Sequence, residues 1–277
     1  MIYLVPLVGA SASQQILLFK NLTKRGSVLL SFEYRGHGSS TGTFSVEKSL
    51  EDSRTVLHWA HEQADGMGVP LHVVSNCYGN LAMLSWFRAA GPDRAPLSMG
   101  AVSGLIDMHQ IIRIEDFLPH AARACPYPVS STRAFLELAE RGEVDLAGDC
   151  YRGALRSYLT GLFPELRVTD RSFEELAFDR VDMRETIRQF FDHEPLQGVS
   201  VPATVPCLFY YGLRDELMGL DLPGGRRNYE KRVRTLIHHA VIRAADVDHF
   251  GRGMDRDLIV QQLGDFHELQ EQRAGGR

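Results

Sequence analysis

The chain has 277 residues, 44% hydrophobic and 23% charged, with a formal net charge of -5. That is enough apolar material for one large core, either as a single α/β domain with an insertion or as two domains. Lys and Arg are scattered among Asp and Glu, so no basic stripe for a phosphate backbone and no polybasic segment for anionic lipid is expected; nucleic acid and membranes are set aside as partners.

The first apolar run is "IYLVPLVG". It lacks a basic leader and falls well short of the roughly 20 residues of a membrane span, so it reads as a buried first strand of a cytoplasmic protein. "QQILLFKNLTKRG", "SVEKSLEDSRTVLHWAHEQ" and "GNLAMLSWFRAAG" carry apolar residues at spacings of three and four and predict helices. Between them and after them, "SVLLSFEY", "PLHVVS" and "SMGAVSGL" predict strands. Residues 106–200 break this rhythm: they hold helical patterns such as "STRAFLELAERG" and "DMRETIRQFFDH" and no convincing strand. The alternation resumes with strands "VPCLFYYG" and "HAVIRAA" and the helix "RDLIVQQLGDFHELQEQ". The expectation is an α/β fold: a mostly parallel sheet flanked by helices, with a core from 1–105 and 201–277 and a helical lid over 106–200.

Four cysteines, Cys77, Cys125, Cys150 and Cys207, are far apart and form no CxxC pair, which points to reduced thiols and no metal site. Cys77 lies in "VVSNCYGNLAML", where a strand runs into a helix with small residues, Ser75 and Gly79, two positions to either side. Such a turn strains the central residue and lifts its side chain above the sheet, and a helix N-terminus there favours thiolate over thiol. Alone, Cys77 is better explained as a small buried residue at a strand end. The other three cysteines lack this context and read as structural.

Two further loops change the weighing. "YYGLRDELMG" places Asp215 just past the fifth predicted strand, and "RAADVDHFGRG" places His249 just past the sixth. Nucleophile, acid and histidine thus follow in order at carboxyl ends of strands, where an open α/β sheet binds ligands. Asp246 or Asp248 is an alternative orienter for His249. His238 and His239 end a helix-like run and read as partners of its dipole.

In these motifs the sequence resembles the α/β-hydrolase superfamily, over nearly its whole length. "RGHG" is similar to the family's turn after its fourth strand, with Glu33 where Asp is common and His37 in a structural position. The resemblance implies a Cys77–His249–Asp215 triad and an oxyanion hole made by the backbone N–H groups of Tyr78 and Ala10, with no cofactor. Three features depart from the family pattern. The nucleophile is Cys rather than Ser; Asn80 stands where a small residue is usual, which counts slightly against the family's helix packing at this point; and the chain starts at the family's third strand, implying a minimal version or a native start upstream.

A thiol exchanges with thioesters at little cost in energy, since the acyl-enzyme is itself a thioester. The expected substrate is therefore an acyl thioester on a carrier protein or coenzyme A, and the layout resembles stand-alone acyl-carrier thioesterases and acyltransferases. A dienelactone-type ester or lactone hydrolase, and a catalytically silent module binding an acyl ligand or a protein, are the alternatives. The apolar residues of the lid are expected chiefly to pack its helices together, with some of them lining the acyl pocket, and Arg123, Arg152 and Arg156 are equal candidates to meet a phosphopantetheine arm.

Overall fold

The computed structural model describes residues 1–6, 11–89, 95–106, 185, 189, 196–215, 218–220, 223–249 and 253–275. The lid expected over 106–200 falls almost wholly outside the described residues, as do Ala10, Cys125, Cys150, Arg123, Arg152 and Arg156.

Six strands make one sheet: β1 (Ile2–Val5), β2 (Leu29–Leu30), β3 (His72–Asn76), β4 (Ser98–Val102), β5 (Cys207–Gly212) and β6 (Val241–Ala245), in the order β2-β1-β3-β4-β5-β6. Every ladder is parallel. The helices are α1 (Ala12–Phe19), continued by a 3-10 turn over Lys20–Arg25, α2 (Val46–Met67), α3 (Gly79–Ala89), α4 (Gly225–Leu236) and α5 (Arg256–Gly275).

β1, β3, β4 and β5 are buried at every position, as strands covered on both faces must be. On one face Tyr3, Val73, Met99 and Phe209 pack with Leu57 of α2, Leu81 and Leu84 of α3 and Val233 of α4. On the other, Leu4, Val74, Val102 and Leu208 pack with Phe19 of α1 and Ile259, Val260 and Leu263 of α5. Local signals set the helix ends. The Ser45 hydroxyl accepts from the Lys48 N–H to cap α2, and Gly68, at φ 64°, ends it in the left-handed conformation that glycine adopts without strain.

The second strand is shorter than expected, two residues instead of a run to Tyr34. As an edge strand it needs only one partner, and beyond Leu30 a side chain takes over the pairing: Ser31 Oγ donates to the Leu4 carbonyl at 3.1 Å. β1 ends at Val5 because the next residue is Pro6, which has no N–H to give the ladder. Among the described residues no helix is long and apolar enough to cross a membrane. All strands point the same way, so the segments after β1, β3, β4, β5 and β6 gather along one edge of the sheet. Cys77, Ser103, Asp215 and His249 all lie there.

Candidate active site

Cys77 follows β3 directly and has φ 49°, a left-handed conformation that costs a non-glycine residue about 1–3 kcal/mol. The surroundings hold it in place. Its N–H donates to the Val102 carbonyl at 3.2 Å, and its own carbonyl accepts from the N–H groups of Asn80 (3.1 Å) and Leu105 (3.0 Å). Gly79 is required by close approach, since a Cβ there would come within 2.5 Å of the Val5 carbonyl oxygen. The smallness expected at this position thus has a definite neighbour, the end of β1.

Asn80 reverses its expectation. It is fully buried, its Oδ1 accepts from Ser75 Oγ at 3.1 Å, and its Nδ2 donates to the Leu105 carbonyl at 2.7 Å. Rather than loosening α3, it ties the helix start to β3 and to the loop after β4. That loop makes room with Gly104, where a Cβ would lie 2.8 Å from Asn80 Cγ.

Tyr78 turns its ring inward. Its hydroxyl shares a 2.6 Å hydrogen bond with Ser49 Oγ of α2, and its ring meets those of Tyr34 and Phe44 edge-on. Its backbone N–H, the expected oxyanion donor, is bonded to no other group among the described residues. Ala10, the other expected donor, is outside them.

Asp215 is 0% exposed. Its Oδ1 accepts from the Met218 N–H at 3.0 Å, and its two oxygens lie 3.0 and 2.9 Å from His249 Nδ1. A carboxylate can only accept, so Nδ1 carries a proton. The ring's other nitrogen, Nε2, is 2.9 Å from Cys77 Sγ. The three expected residues are therefore in one hydrogen-bonded line, and the remaining acids are elsewhere: Asp246 pairs with Arg214 at 2.8 Å, and Asp248 is not the group on Nδ1. Gly212 lets the His249 loop approach, because a Cβ there would be 2.4 Å from the Val247 carbonyl oxygen.

Burial works against a charged His249, yet the negative charges of the Cys77 sulfur and the Asp215 carboxylate, with hydrogen bonds to both, outweigh it and push the pKa up to about 10. The imidazole therefore keeps its proton at neutral pH. Cys207, by contrast, is enclosed by apolar groups, and burial pushes its thiol far up; it donates to the Val205 carbonyl.

His37 is buried between Tyr34 and Phe44, with ring centroids 5.7 and 4.9 Å away, and Glu33 accepts from the Ser39 N–H and hydroxyl to close the same turn. His239 does not serve the dipole of α4 as expected; its Nε2 is 2.6 Å from the Val205 carbonyl oxygen. Among the described residues no cluster of His, Cys, Asp and Glu is arranged to hold a metal ion. Two contributors to the site went unread in the sequence. Ser103 follows β4 at φ 46°, and Tyr229 of α4 donates its hydroxyl to the Gly104 carbonyl at 2.8 Å. Only the packing of segments distant in the chain brings them there, and no local pattern announces it.

No family model and no curated protein matches the sequence. Among solved structures the chain is similar to a highly thermostable carboxyl esterase from Bacillus coagulans, at 14% identity and a TM-score of 0.61 over 96% of this chain and 88% of that one. It is also similar to a thermophilic esterase from Thermogutta terrifontis, at 12% identity and a TM-score of 0.58 over 97% and 89%. A soluble variant of monoglyceride lipase from Saccharomyces cerevisiae gives 13% identity and a TM-score of 0.57 over 97% and 86%. The chain has the α/β-hydrolase fold.

Proposed function

We propose that this protein transfers acyl groups through Cys77, taking them from a thioester and passing them to water or another acceptor. The observation that carries this reading is the line of atoms from Asp215 through His249 Nδ1 and Nε2 to Sγ, each gap 2.9–3.0 Å, on a residue held at φ 49°.

The chemistry follows from who holds the proton. Sγ attacks the carbonyl carbon of the substrate, the carbonyl electron pair moves onto oxygen, and the Tyr78 N–H donates to that oxyanion. When the intermediate collapses, the leaving sulfur takes the proton from Nε2, and the acyl group stays on Sγ. His249 has now lost the negative charge it faced, so its hold on a proton weakens. The neutral ring can then take a proton from the acceptor as that acceptor attacks, and Sγ departs with its electron pair. Asp215 keeps the ring in the tautomer that both steps need.

Sulfur as nucleophile supports thioesters as substrates because the bond broken and the bond formed are alike. A second reading, hydrolysis of carboxylic esters, is favoured by the esterases and lipase among the similar structures. Both readings use the same atoms. Incubation with a panel of acyl thioesters and aryl esters, followed by intact-mass measurement, separates them. A mass gain of one acyl group from thioesters, absent in Cys77→Ala, is the expected result. Acylation by esters alone selects the second reading, and turnover that survives Cys77→Ala removes both.

A further inference from the structure

One helix runs against the acidic balance of the chain. α4 reads "GRRNYEKRVRTL", with five basic residues to one acidic, whereas α2 has two basic to five acidic and α5 two to four. The sequence-level expectation of scattered charge without a stripe therefore fails here, because a whole-chain balance averages over a segment this short. Tyr229 and Val233 are buried and fix the inward face. At about 100° per residue, Arg227, Lys231 and Arg234 fall together on the opposite face at spacings of four and three, and all three are exposed. They form a stripe about 10 Å long. Glu230, the one acid of the helix, is turned to the Tyr211 hydroxyl at 2.8 Å. Among the described residues no carboxylate pairs with Arg227, Lys231 or Arg234; the last donates to the Ala240 carbonyl.

The stripe starts beside the candidate active site. Gly225 packs so closely on the Gly219 carbonyl oxygen that a Cβ would lie 2.1 Å from it. Arg226 donates to the carbonyls of Leu213 and Leu220, which flank Asp215 in the chain, each at 3.2 Å. Tyr229 reaches the Gly104 carbonyl next to the Cys77 turn.

We propose that the outward face of α4 docks an acidic carrier protein, which presents its acyl group to Cys77 as a thioester on a flexible arm. This rests on the thioester reading above. The surface is a convex helix face with separated charges, whereas small anionic ligands such as the phosphates of coenzyme A are held in concave sites. Unpaired charge of one sign on a protein of the other sign attracts and orients a partner of matching polarity, and does so most strongly at low salt.

The test uses the full chain and its Arg227→Glu/Lys231→Glu/Arg234→Glu variant. kcat/KM is measured at 50 and 500 mM NaCl for one acyl group presented on a panel of acidic phosphopantetheinylated carrier proteins, on coenzyme A, and on the uncharged N-acetylcysteamine. Charge reversal is expected to lower the carrier-borne reaction about tenfold or more at low salt, to leave the N-acetylcysteamine thioester unchanged, and to match the effect of high salt on wild type. Equal rates of wild type and variant on every carrier overturn the proposal, as does a loss confined to coenzyme A. If wild type processes no thioester at all, the thioester reading has failed, and docking is then read by direct titration of carrier against Cys77→Ala. Binding abolished by charge reversal keeps the docking surface; no binding, or binding indifferent to it, removes it.

Discussion

Replacing Asp215 by Asn changes one atom and reverses one hydrogen bond. The amide oxygen still accepts from the Met218 N–H, but the amide nitrogen can only donate, and it would face His249 Nδ1, which at present donates to the carboxylate. The ring is driven to the other tautomer, with its proton on Nε2 against Sγ and a bare Nδ1. Acylation keeps a proton donor for the leaving group, whereas deacylation loses its base. The acyl-enzyme should therefore accumulate, with turnover reduced about 10²-fold, less than for a hydroxyl nucleophile because a thiolate needs less help. The carboxylate also supplies part of what raises His249 from 6.5 to about 10. At about 1.4 kcal/mol per pH unit the whole rise corresponds to roughly 5 kcal/mol favouring the charged ring, shared between sulfur and carboxylate. A raised folded pKa stabilises the fold fully below 6.5 and loses that contribution as pH rises through about 10. Asp215→Asn should thus destabilise the fold at pH 6, an effect that fades toward pH 10. Intact-mass time courses, imidazole NMR titration and urea unfolding at both pH values check these points. Unchanged deacylation with an unmoved His249 titration would refute the assigned roles.

Cys77→Gly should be more stable than Cys77→Ala by about 1 kcal/mol, because glycine alone is relaxed at φ 49°; equal urea midpoints would remove the strain from the argument. Tyr229→Phe deletes the hydroxyl that satisfies the buried Gly104 carbonyl, so a stability loss of about 1–3 kcal/mol is expected, with kcat falling more than KM changes, because Leu105 in the same loop holds the Cys77 carbonyl. An unchanged kcat would separate that loop from the site. On the opposite end of the sheet, Ser98 Oγ lies 2.7 Å from both His72 Nδ1 and His267 Nδ1. Burial, and then the neighbouring His72, push His267 well below its ordinary value, so the fold keeps it neutral while the unfolded chain takes a proton below 6.5. His267's own contribution to stability should fall by about 1 kcal/mol between pH 7 and 5.5, read as the change in the difference between wild type and His267→Gln in urea titrations at the two pH values.

Legibility in the sequence tracked how local each constraint is. Ser75, Cys77 and Gly79 could be read because a strand end, a strained residue and a close approach fall within five positions of one another. Asp215 and His249 could be read because each sits a few residues after a strand, and parallel strands bring all such loops to one edge. Asn80 was misread because its partners are Ser75 nearby and Leu105 in another loop, and the second cannot be seen without the pairing of β3 with β4. The length of β2 was misjudged because a side chain, Ser31, does the work of the ladder. Gly104 carried no reading in the sequence; its reason is the Asn80 side chain facing it.

α4 joins the two halves of the functional reading. Buried Tyr229 holds the Gly104 loop and exposed Arg226, at the helix start, holds the Asp215 loop, while the outward residues Arg227, Lys231 and Arg234 touch neither. A single helix thus carries bracing on one face and free charge on the other, so the two roles can be removed one at a time. Charge reversal outside should change how substrate arrives and leave the chemistry of a small thioester intact; removing the Tyr229 hydroxyl inside should do the opposite. A helix whose charge served only solubility would lack the first half of that separation, since its outward substitutions would act alike on every substrate, while the Tyr229 effect would remain.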